Sequence, residues 1–226
     1  EAAYAEKLIA WPTPQDYNEA VQTPSLCFAD LELKSGVADV NEFGLPRPIS
    51  GGFASVYRLR GDRRDLAVRC FLNRISNRAE RYESILKCLQ DIAPSWAVPC
   101  EFLSNGMQIG GLWYPIVKMQ WVQGQSLSAW IEAHLAEPQR LRDMAVKLRM
   151  LVSHLQDLSI AHGDLQPANI IVMDNDSLKL VDYDGMFVPS LSGTESNELG
   201  HKNFQHPSRQ ASDFNHRLDN FSICLL

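Results

Sequence analysis

Apolar and polar positions in the first half of the chain follow a strand-like pattern. Two runs rich in strand-forming residues, 53–59 and 66–72, flank a polar turn around Gly61 and Asp62. Strand-forming runs on either side of a short polar turn are typical of an antiparallel hairpin. The pattern therefore predicts two paired strands in this part of the chain.

A helix and further strands are predicted after this hairpin. Residues 77–92 keep apolar positions at helical spacing, and Asn77 with Glu80 three residues later resembles a capping box. Gly106 and the pair Gly110–Gly111 then mark off two more strand candidates, of which the second covers 112–122. The first half of the chain is thus predicted to be mainly β, with one helix.

Helical spacing dominates the second half, after Gly124. Residues 127–135 predict a short helix, and 141–158 carry apolar residues at steps of three and one, as in a long amphipathic helix. Two short apolar runs, 170–173 and 178–181, lie on either side of a DNDS turn and predict a hairpin. Strands followed by helices indicate an α+β fold, in which a β-rich lobe is hinged to an α-rich lobe with a cleft between them.

Composition and charge exclude several classes of protein. The chain has 226 residues, of which 45% are hydrophobic and 21% charged, with a net charge of −6. Such values are typical of a globular protein and do not favour binding of nucleic acid through a basic face. Most of the eight arginines between positions 58 and 81 are interpreted as part of a solvated strand and helix surface.

Cysteine usage and hydropathy indicate a reducing, non-membrane environment. The five cysteines are scattered without a CxxC pair, which disfavours a disulfide framework or a zinc site. No apolar stretch reaches the roughly 18 residues that span a bilayer, and no signal-peptide pattern opens the chain. We therefore expect a cytoplasmic protein with no membrane partner.

Aspartates and one asparagine surround the hairpin predicted in the second half. Asp174 and Asp176 fall in its turn, where aspartate is common. Asp164, Asn169 and Asp182 lie outside the turn, at the rims of the two strands, where a cleft would bring them together. These three residues are therefore the candidates for chemistry.

This set of residues suits phosphoryl transfer. The reaction needs metal ions that bridge the phosphates and a carboxylate that receives the proton of the acceptor hydroxyl. Mg²⁺ prefers oxygen ligands and usually takes one or two protein carboxylates together with phosphate oxygens. Asp164 is thus the candidate base, and Asn169 and Asp182 are the candidate metal ligands.

The segment HGDLQPAN, residues 162–169, resembles the catalytic loop of the protein-kinase-like superfamily, in which HRD is followed by four residues and Asn. Other segments resemble, in the family's order, the glycine-rich loop, the lysine strand, the hinge, the DFG motif, the end of the activation segment, and the helix whose aspartate, here Asp219, braces the catalytic loop. These segments are SGGFASVY for the glycine-rich loop, LAVR for the lysine strand, KMQWVQG for the hinge, VDYDG for the DFG motif, GHKNFQHPSR for the end of the activation segment and LDNFSICLL for the helix. The resemblance implies a bilobal protein-kinase-like fold of the bacterial, eukaryotic-like type.

The resemblance also implies cofactors, ATP and Mg²⁺, and roles for further residues. For the nucleotide it implies Gly51 and Gly52 as flexible glycines of the phosphate loop, Val56 and Ala67 as side chains that line the adenine site, and Arg69 as the strand cation. It also implies Met119 as the gatekeeper, and the backbone groups of Gln120 and Val122 as hydrogen-bond partners of adenine at the hinge. For catalysis it implies Asp164 and Gln166 in the loop, and Glu83 as the helix carboxylate that orients Arg69, with Glu80 as the alternative. His162 is expected to be a packed, structural residue.

The chain departs from the family pattern at several of these positions. Arg69 replaces the strand lysine, and Ile49 and Ala54 replace two loop glycines. In the catalytic loop, Gly163 replaces an arginine and Gln166 replaces a lysine. Asp184 replaces the DFG glycine, and Ser208 replaces the APE glutamate. Because Gly163 removes the arginine that receives an activation-loop phosphate, we do not expect control by that kind of phosphorylation. Asp184 adds a carboxylate beside the metal site.

The resemblance predicts the following organisation. An N-terminal extension, 1–47, packs on the N-lobe; proline spacing within it argues against a long helix. The N-lobe covers 48–119, the hinge 120–124 and the C-lobe 125–226. The C-lobe is expected to be incomplete, ending just after the start of its central helix, because the apolar end ICLL would leave a buried face uncovered.

Three functions follow from these features. The first is a protein kinase in bacterial signalling or stress response, which phosphorylates Ser, Thr or Tyr of a protein substrate and has partner proteins encoded in the same gene cluster. The second is a pseudokinase scaffold, for which Arg69, Ala54 and Gln166 argue. The third is a small-molecule phosphotransferase, because HGDLQ also resembles the loop of aminoglycoside kinases.

Overall fold

The computed structural model describes residues 10–226, which form a mixed α+β structure with antiparallel sheets, as predicted. Two compact units are distinguished by their internal contacts. The first comprises 10–79 together with Pro99–Trp121, and the second comprises Glu80–Val98 together with Val122–Leu226. The segment 1–9 of the predicted extension lies outside the described residues.

The first unit is built on a six-stranded antiparallel sheet. Its strands are β1 (Val37–Ala38), β2 (Ile49–Ser50), β3 (Ala54–Arg60), β4 (Leu66–Phe71), β5 (Cys100–Ile109) and β6 (Leu112–Gln120). The order is β1-β3-β4-β6-β5, and β2 also pairs with β3. The predicted strands 53–59, 66–72 and 112–122 are confirmed as β3, β4 and β6, with ends that differ by one or two residues.

Within the described residues, three short helices precede the sheet, and the longest of them has eight residues. They are α1 (Pro14–Val21), α2 (Pro24–Cys27) and α3 (Leu31–Lys34). Proline occupies the first turn of both α1 and α2, where its missing N–H leaves no hydrogen bond unmade. The helices join the sheet through polar contacts as well as apolar ones: the Tyr17 hydroxyl donates to the carbonyl of Phe71 (2.7 Å), and Lys118 Nζ donates to Asp30 (2.7 Å).

The core of the first unit lies between these helices and one face of the sheet. Side chains of both layers are buried in a single apolar cluster, whose members are Tyr17, Val21, Cys27, Phe28, Leu33, Tyr57, Leu59, Leu66, Val68, Cys70, Met107 and Ile116. Residues directly opposite in a strand pair point to the same face of a sheet. The pairs Leu59–Leu66, Tyr57–Val68 and Cys70–Ile116 show that this buried face is continuous across three strands.

Three glycines of the β5–β6 hairpin are required by its geometry. Gly110 and Gly111 form the turn with φ of +57° and +82°, a conformation that other residues rarely adopt. Gly106 lies in β5 where the pairing register shifts, and a Cβ there would come within 2.3 Å of Ile116 Cγ1. The predicted boundary at Gly106 is therefore a bulge inside one long strand.

The second unit combines helices with a three-stranded antiparallel sheet of order β7-β8-β9. Its elements are α4 (Arg78–Ile92, whose first two residues belong to the first unit), β7 (Gln125–Ser126), α5 (Leu127–Ala133), α6 (Pro138–Asp157), β8 (Ile170–Val172), β9 (Leu178–Leu180) and α7 (Asn220–Ile223). These elements confirm the helices predicted over 77–92, 127–135 and 141–158, and the predicted hairpin. Helix α6 buries Met144, Leu151 and Leu155.

The turn between β8 and β9 is also tied to two helices. Asp176, in the left-handed conformation with φ of +57°, accepts hydrogen bonds from Trp130 Nε1 of α5 (3.1 Å) and from Arg140 of α6 (3.0 Å). Lys147 Nζ donates to the Asp176 carbonyl (2.8 Å). Asp176 thus belongs to the turn, as predicted, and in addition anchors the hairpin to α5 and α6.

Within the part of the chain that the structure describes, no helix combines the length and the apolar character needed to cross a lipid bilayer.

Candidate functional site

The β8–β9 hairpin brings two of the candidate polar residues to the same end. Ile170 of β8 pairs with Leu180 of β9, and the N–H of Val181 donates to the carbonyl of Asn169 (3.0 Å). Asn169 therefore lies directly before one strand, and Asp182 follows closely after the other. The expectation that these residues meet at the rims of the two strands is in agreement with this register.

Asp164 is held by three hydrogen-bond donors. The N–H of His201 donates to Oδ1 (2.6 Å), while Gln166 Nε2 (2.8 Å) and Asn169 Nδ2 (3.0 Å) donate to Oδ2. The side chain is half-buried, so the orientation of its carboxylate is fixed while part of it stays accessible. A carboxylate can accept about four hydrogen bonds, two on each oxygen. Because Oδ2 accepts two and Oδ1 accepts one, Oδ1 can accept one more.

Asn169 is oriented by the same loop. Its Nδ2 also donates to the carbonyl of Asp164 (2.9 Å), so the amide nitrogen is committed to that residue. The side-chain oxygen is therefore the group that Asn169 can offer to a cation. Asp182, the second candidate ligand, is half-buried and has a φ of +71°, a strained conformation of the kind that concentrates at functional sites.

The loop before Asp164 leaves no room for a side chain at position 163. Gly163 has a φ of +78°, and a Cβ on it would lie 1.9 Å from the carbonyl oxygen of Gly185. Two backbone segments, 162–164 and 183–185, thus run in direct contact. The absence of the family's arginine at this position has a steric reason in this chain.

Asp219 braces this loop, as the resemblance implies. It is buried, and its carboxylate accepts hydrogen bonds from the N–H of His162 (2.5 Å) and the N–H of Gly163 (2.9 Å). Burial raises the pKa of the Asp219 carboxyl, against the lowering effect of His162 and of the two N–H donors. His162 is fully buried, and its Nε2 lies 2.9 Å from the carbonyl oxygen of Val181, which confirms its packed, structural role.

Asp184, which the sequence motif places beside the candidate metal site, is bound to helix α4. Its Oδ1 accepts a hydrogen bond from the hydroxyl of Tyr82, and both side chains are buried. The neighbouring Arg81 is also buried, and its guanidinium donates to the carbonyl of Glu195 (3.0 Å) and lies over the ring of Phe214. Tyr82 keeps the helical spacing of the apolar residues of α4, and this pattern does not predict a polar contact for its hydroxyl.

Glu83 and its alternative, Glu80, are both exposed. The side of α4 that is buried carries Arg81, Tyr82 and Ile85 instead. The role predicted for Glu83 toward Arg69 joins residues of different units, and it stays a prediction.

Four of the predicted nucleotide-binding residues share one face of the sheet in the first unit. Val56 pairs with Arg69, and Ala67 pairs with Met119; because alternate residues of a strand point to the same side, all four belong together. The opposite face is the one that packs against α1, α2 and α3. The helices of the N-terminal segment therefore leave the predicted nucleotide face uncovered.

The two loop glycines connect β2 with β3. Gly51 donates its N–H to the carbonyl of Ala54 (3.0 Å), which closes a tight turn after the pair Ser50–Ser55. Neither Gly51 nor Gly52 has a left-handed φ, and a Cβ on Gly52 would meet no atom within 4 Å. The fold itself thus does not require glycine at position 52.

The predicted hinge residues fall on both sides of the boundary between the units. The N–H of Gln120 donates to the carbonyl of Pro99 (3.1 Å). The carbonyl group of Gln120 is therefore the group that could form the predicted hydrogen bond to adenine. Val122 is half-buried and is the first residue of its segment in the second unit.

Comparisons with known proteins do not identify a family for this chain. No protein-family model matches the sequence, and no curated protein matches it either. Among residues 10–226, no cluster of three or more His, Cys, Asp or Glu side chains is arranged to hold a metal ion. The functional conclusion therefore depends on the arrangement around Asp164 and on the sequence motifs.

Proposed function

We propose that the chain is an ATP- and Mg²⁺-dependent protein kinase with a bilobal protein-kinase-like fold, which transfers the γ-phosphate to a hydroxyl of a protein substrate in the cytoplasm. The observation that carries this proposal is the arrangement of Asp164 and Asn169. Asn169 Nδ2 fixes both the backbone and the carboxylate of Asp164. A base and a metal ligand that are held together in this way suit phosphoryl transfer, which depends on positioning and charge stabilisation.

Asp164 is the proposed base. The three donors around its carboxylate fix the direction in which its remaining lone pair on Oδ1 points. A substrate hydroxyl that donates to this lone pair would be aligned, and its proton would pass to Asp164 as the oxygen attacks phosphorus. General bases of this kind contribute about 10²- to 10⁴-fold to a rate.

The residues near the hairpin fit Mg²⁺ rather than a metal held by protein alone. Asn169 offers an amide oxygen and Asp182 a carboxylate, and Mg²⁺ usually takes only one or two such protein ligands with phosphate oxygens completing its shell. When bound, the ion would neutralise charge that develops on the phosphates.

ATP is proposed to use residues of the first unit. Gly51 and Gly52 would let the phosphates approach the loop, and Arg69 would contact them from the same face as Val56, Ala67 and Met119. Arg69 keeps the positive charge of the family's lysine, but its planar fork differs from an ammonium group in shape and hydrogen bonding. The backbone groups of Gln120 and Val122 are the proposed adenine partners.

The proposal is tested by transfer of labelled γ-phosphate from Mg-ATP to the chain itself and to a panel of protein acceptors. Wild type should label protein, and Asp164→Ala should reduce the rate by about 10²-fold or more. Asp174→Ala, which changes an exposed aspartate of the hairpin turn, is the matched control and should keep the wild-type rate. Equal labelling by wild type and Asp164→Ala would contradict the proposal.

A pseudokinase scaffold is the second candidate, and one contact favours it. Gln166, at the position where the family has a lysine for the transferred phosphate, donates to Asp164 instead. A thermal-shift titration separates the two candidates, because a ligand that binds only the folded state must raise the melting temperature. Stabilisation by Mg-ATP without turnover would favour the scaffold, whereas turnover of small molecules without protein labelling would favour a small-molecule phosphotransferase.

A further inference from the structure

Arg209 lies against the backbone of the catalytic loop. Its Nη1 donates to the carbonyl of Gly163 (2.6 Å) and to Oε1 of Gln205, and its Nη2 lies 3.5 Å from the carbonyl oxygen of Glu198. Gln205 is buried and donates to the same Gly163 carbonyl (3.2 Å). One guanidinium group therefore connects the loop with two positions of the segment 198–205.

Contacts from two residues hold both peptide groups of Gly163, the residue before the proposed base. The N–H of Gly163 is bound by Asp219 (2.9 Å), and its carbonyl is bound by Arg209. The left-handed backbone of Gly163 is thus fixed from both sides. Because Asp164 is the next residue, the position of its carboxylate depends on this clamp.

The same segment reaches Asp164 directly. The N–H of His201 donates to Asp164 Oδ1, and Gly200, with a φ of +72°, has no space for a Cβ, which would lie 2.8 Å from the carbonyl oxygen of Gly163. Burial lowers the pKa of Arg209, while the nearby carboxylates of Asp219, Asp164 and Asp213 act to raise it. A cation is therefore present at the loop although position 163 lacks one.

We propose that Arg209 is a positioning residue that keeps the catalytic loop in register with residues 198–205 without a phosphate group on that segment. This inference rests on the proposed function, because it concerns how the proposed base is held ready. Its consequence is regulatory: the site is assembled by contacts of the unmodified chain. Phosphorylation of the segment is then not needed to order it.

The test compares Arg209→Met and Arg209→Lys with wild type, and uses Arg217→Met as the matched control, because Arg217 is an exposed arginine of the same region. Amide hydrogen exchange is measured at Gly163 and His201, and kcat and KM for ATP are measured in the transfer assay. Loss of a buried hydrogen bond to a charged group should speed exchange at both amides by about tenfold or more in Arg209→Met. The kcat value should fall by a similar factor while KM for ATP changes by less than about twofold.

Arg209→Lys keeps the positive charge but loses the planar guanidinium group. Its amide exchange rates and its kcat should lie between those of wild type and those of Arg209→Met. If Arg209→Met does not fold, Arg209→Lys becomes the test variant. Exchange at Gly163 in Arg209→Lys as slow as in wild type would then overturn the proposal. Wild type freed of phosphate by a phosphatase should keep its kcat within about twofold, whereas loss of activity on this treatment would overturn the regulatory consequence.

Failure of the clamp and failure of the proposed function can be told apart. If Arg209→Met and Arg217→Met show the same exchange as wild type, Arg209 does not position the loop, whatever the activity. If wild type transfers no phosphate but exchange rises only in Arg209→Met, the proposed function fails and the positioning of the loop by Arg209 is supported.

Discussion

The hydroxyl of Tyr82 donates a hydrogen bond to Oδ1 of Asp184, which joins helix α4 to the turn that follows Asp182. Both side chains are buried, and they lie 102 positions apart in the chain. Asp184 comes two residues after the proposed metal ligand Asp182. The contact therefore fixes the helix relative to the backbone that carries that ligand.

Tyr82→Phe should destabilise the protein by about 1–3 kcal/mol, because the buried Asp184 carboxylate loses a hydrogen-bond donor. The free energy of unfolding is measured by urea denaturation. The phenyl ring keeps the apolar packing of Tyr82, so that the lost hydroxyl is the only change at this site.

Asp184→Asn and the double variant complete a mutant cycle for this pair. Since the two side chains are in direct contact, the cycle should give a coupling energy of about 0.5 kcal/mol or more. Additive effects of the two substitutions, or a Tyr82→Phe protein as stable as wild type, would contradict the importance of the contact.

The sequence could not predict this pair for a physical reason. Tyr82 keeps the helical spacing of an apolar stripe, and periodicity reports which side of a helix is buried, not which polar group meets a hydroxyl there. Asp184 looked like an additional carboxylate of the metal site, because the motif order alone places it two residues after Asp182. Only the packing of α4 on the 182–185 turn brings the two together.

Gly163→Ala should destabilise the protein by about 3 kcal/mol or more, because alanine is strained at a φ of +78° and its Cβ would overlap the carbonyl oxygen of Gly185. The change in melting temperature measures this effect. Gly52→Ala is the matched control: its Cβ meets nothing within 4 Å, and we expect a stability change below about 1 kcal/mol. Similar stability of the two variants would contradict the close approach of positions 163 and 185.

The Asp30–Lys118 pair makes stability in the first unit depend on pH. Burial acts to raise the pKa of Asp30, but hydrogen bonds from Lys118 and from the N–H of Leu33 outweigh it, so the pKa is lowered from 3.8. A carboxyl whose pKa is lowered on folding stabilises the protein above its unfolded pKa, and this stabilisation is lost as the pH falls through the folded pKa.

Asp30→Asn should therefore cost about 1–3 kcal/mol at pH 7, and the difference from wild type should shrink as the pH falls below about 4. Urea denaturation at a series of pH values measures the difference. Asp62→Asn, which changes an exposed aspartate of the same unit, should show no such dependence. A difference between Asp30→Asn and wild type that stays constant with pH would contradict the account.

Periodicity was sufficient for most strands and helices, whereas the nucleotide-binding roles of individual residues were implied only by the family resemblance. Val56, Ala67, Arg69 and Met119 belong to strands whose pattern was clear in the sequence, and the observed register puts them on the same side. The contacts of Arg209 could not be predicted in this way. They join a loop residue to backbone carbonyls, which every residue possesses and no sequence pattern marks.

The most direct test of the proposed site is a metal-rescue measurement on Asp182→Cys. A thiolate binds Mg²⁺ poorly but accepts softer ions such as Cd²⁺. If Asp182 is a metal ligand beside the base Asp164, Asp182→Cys should lose phosphate transfer with Mg²⁺ by about 10²-fold or more and recover part of it with Cd²⁺, while no ion restores Asp164→Ala. Full activity of Asp182→Cys with Mg²⁺, or rescue of Asp164→Ala by the same ion, would contradict the account.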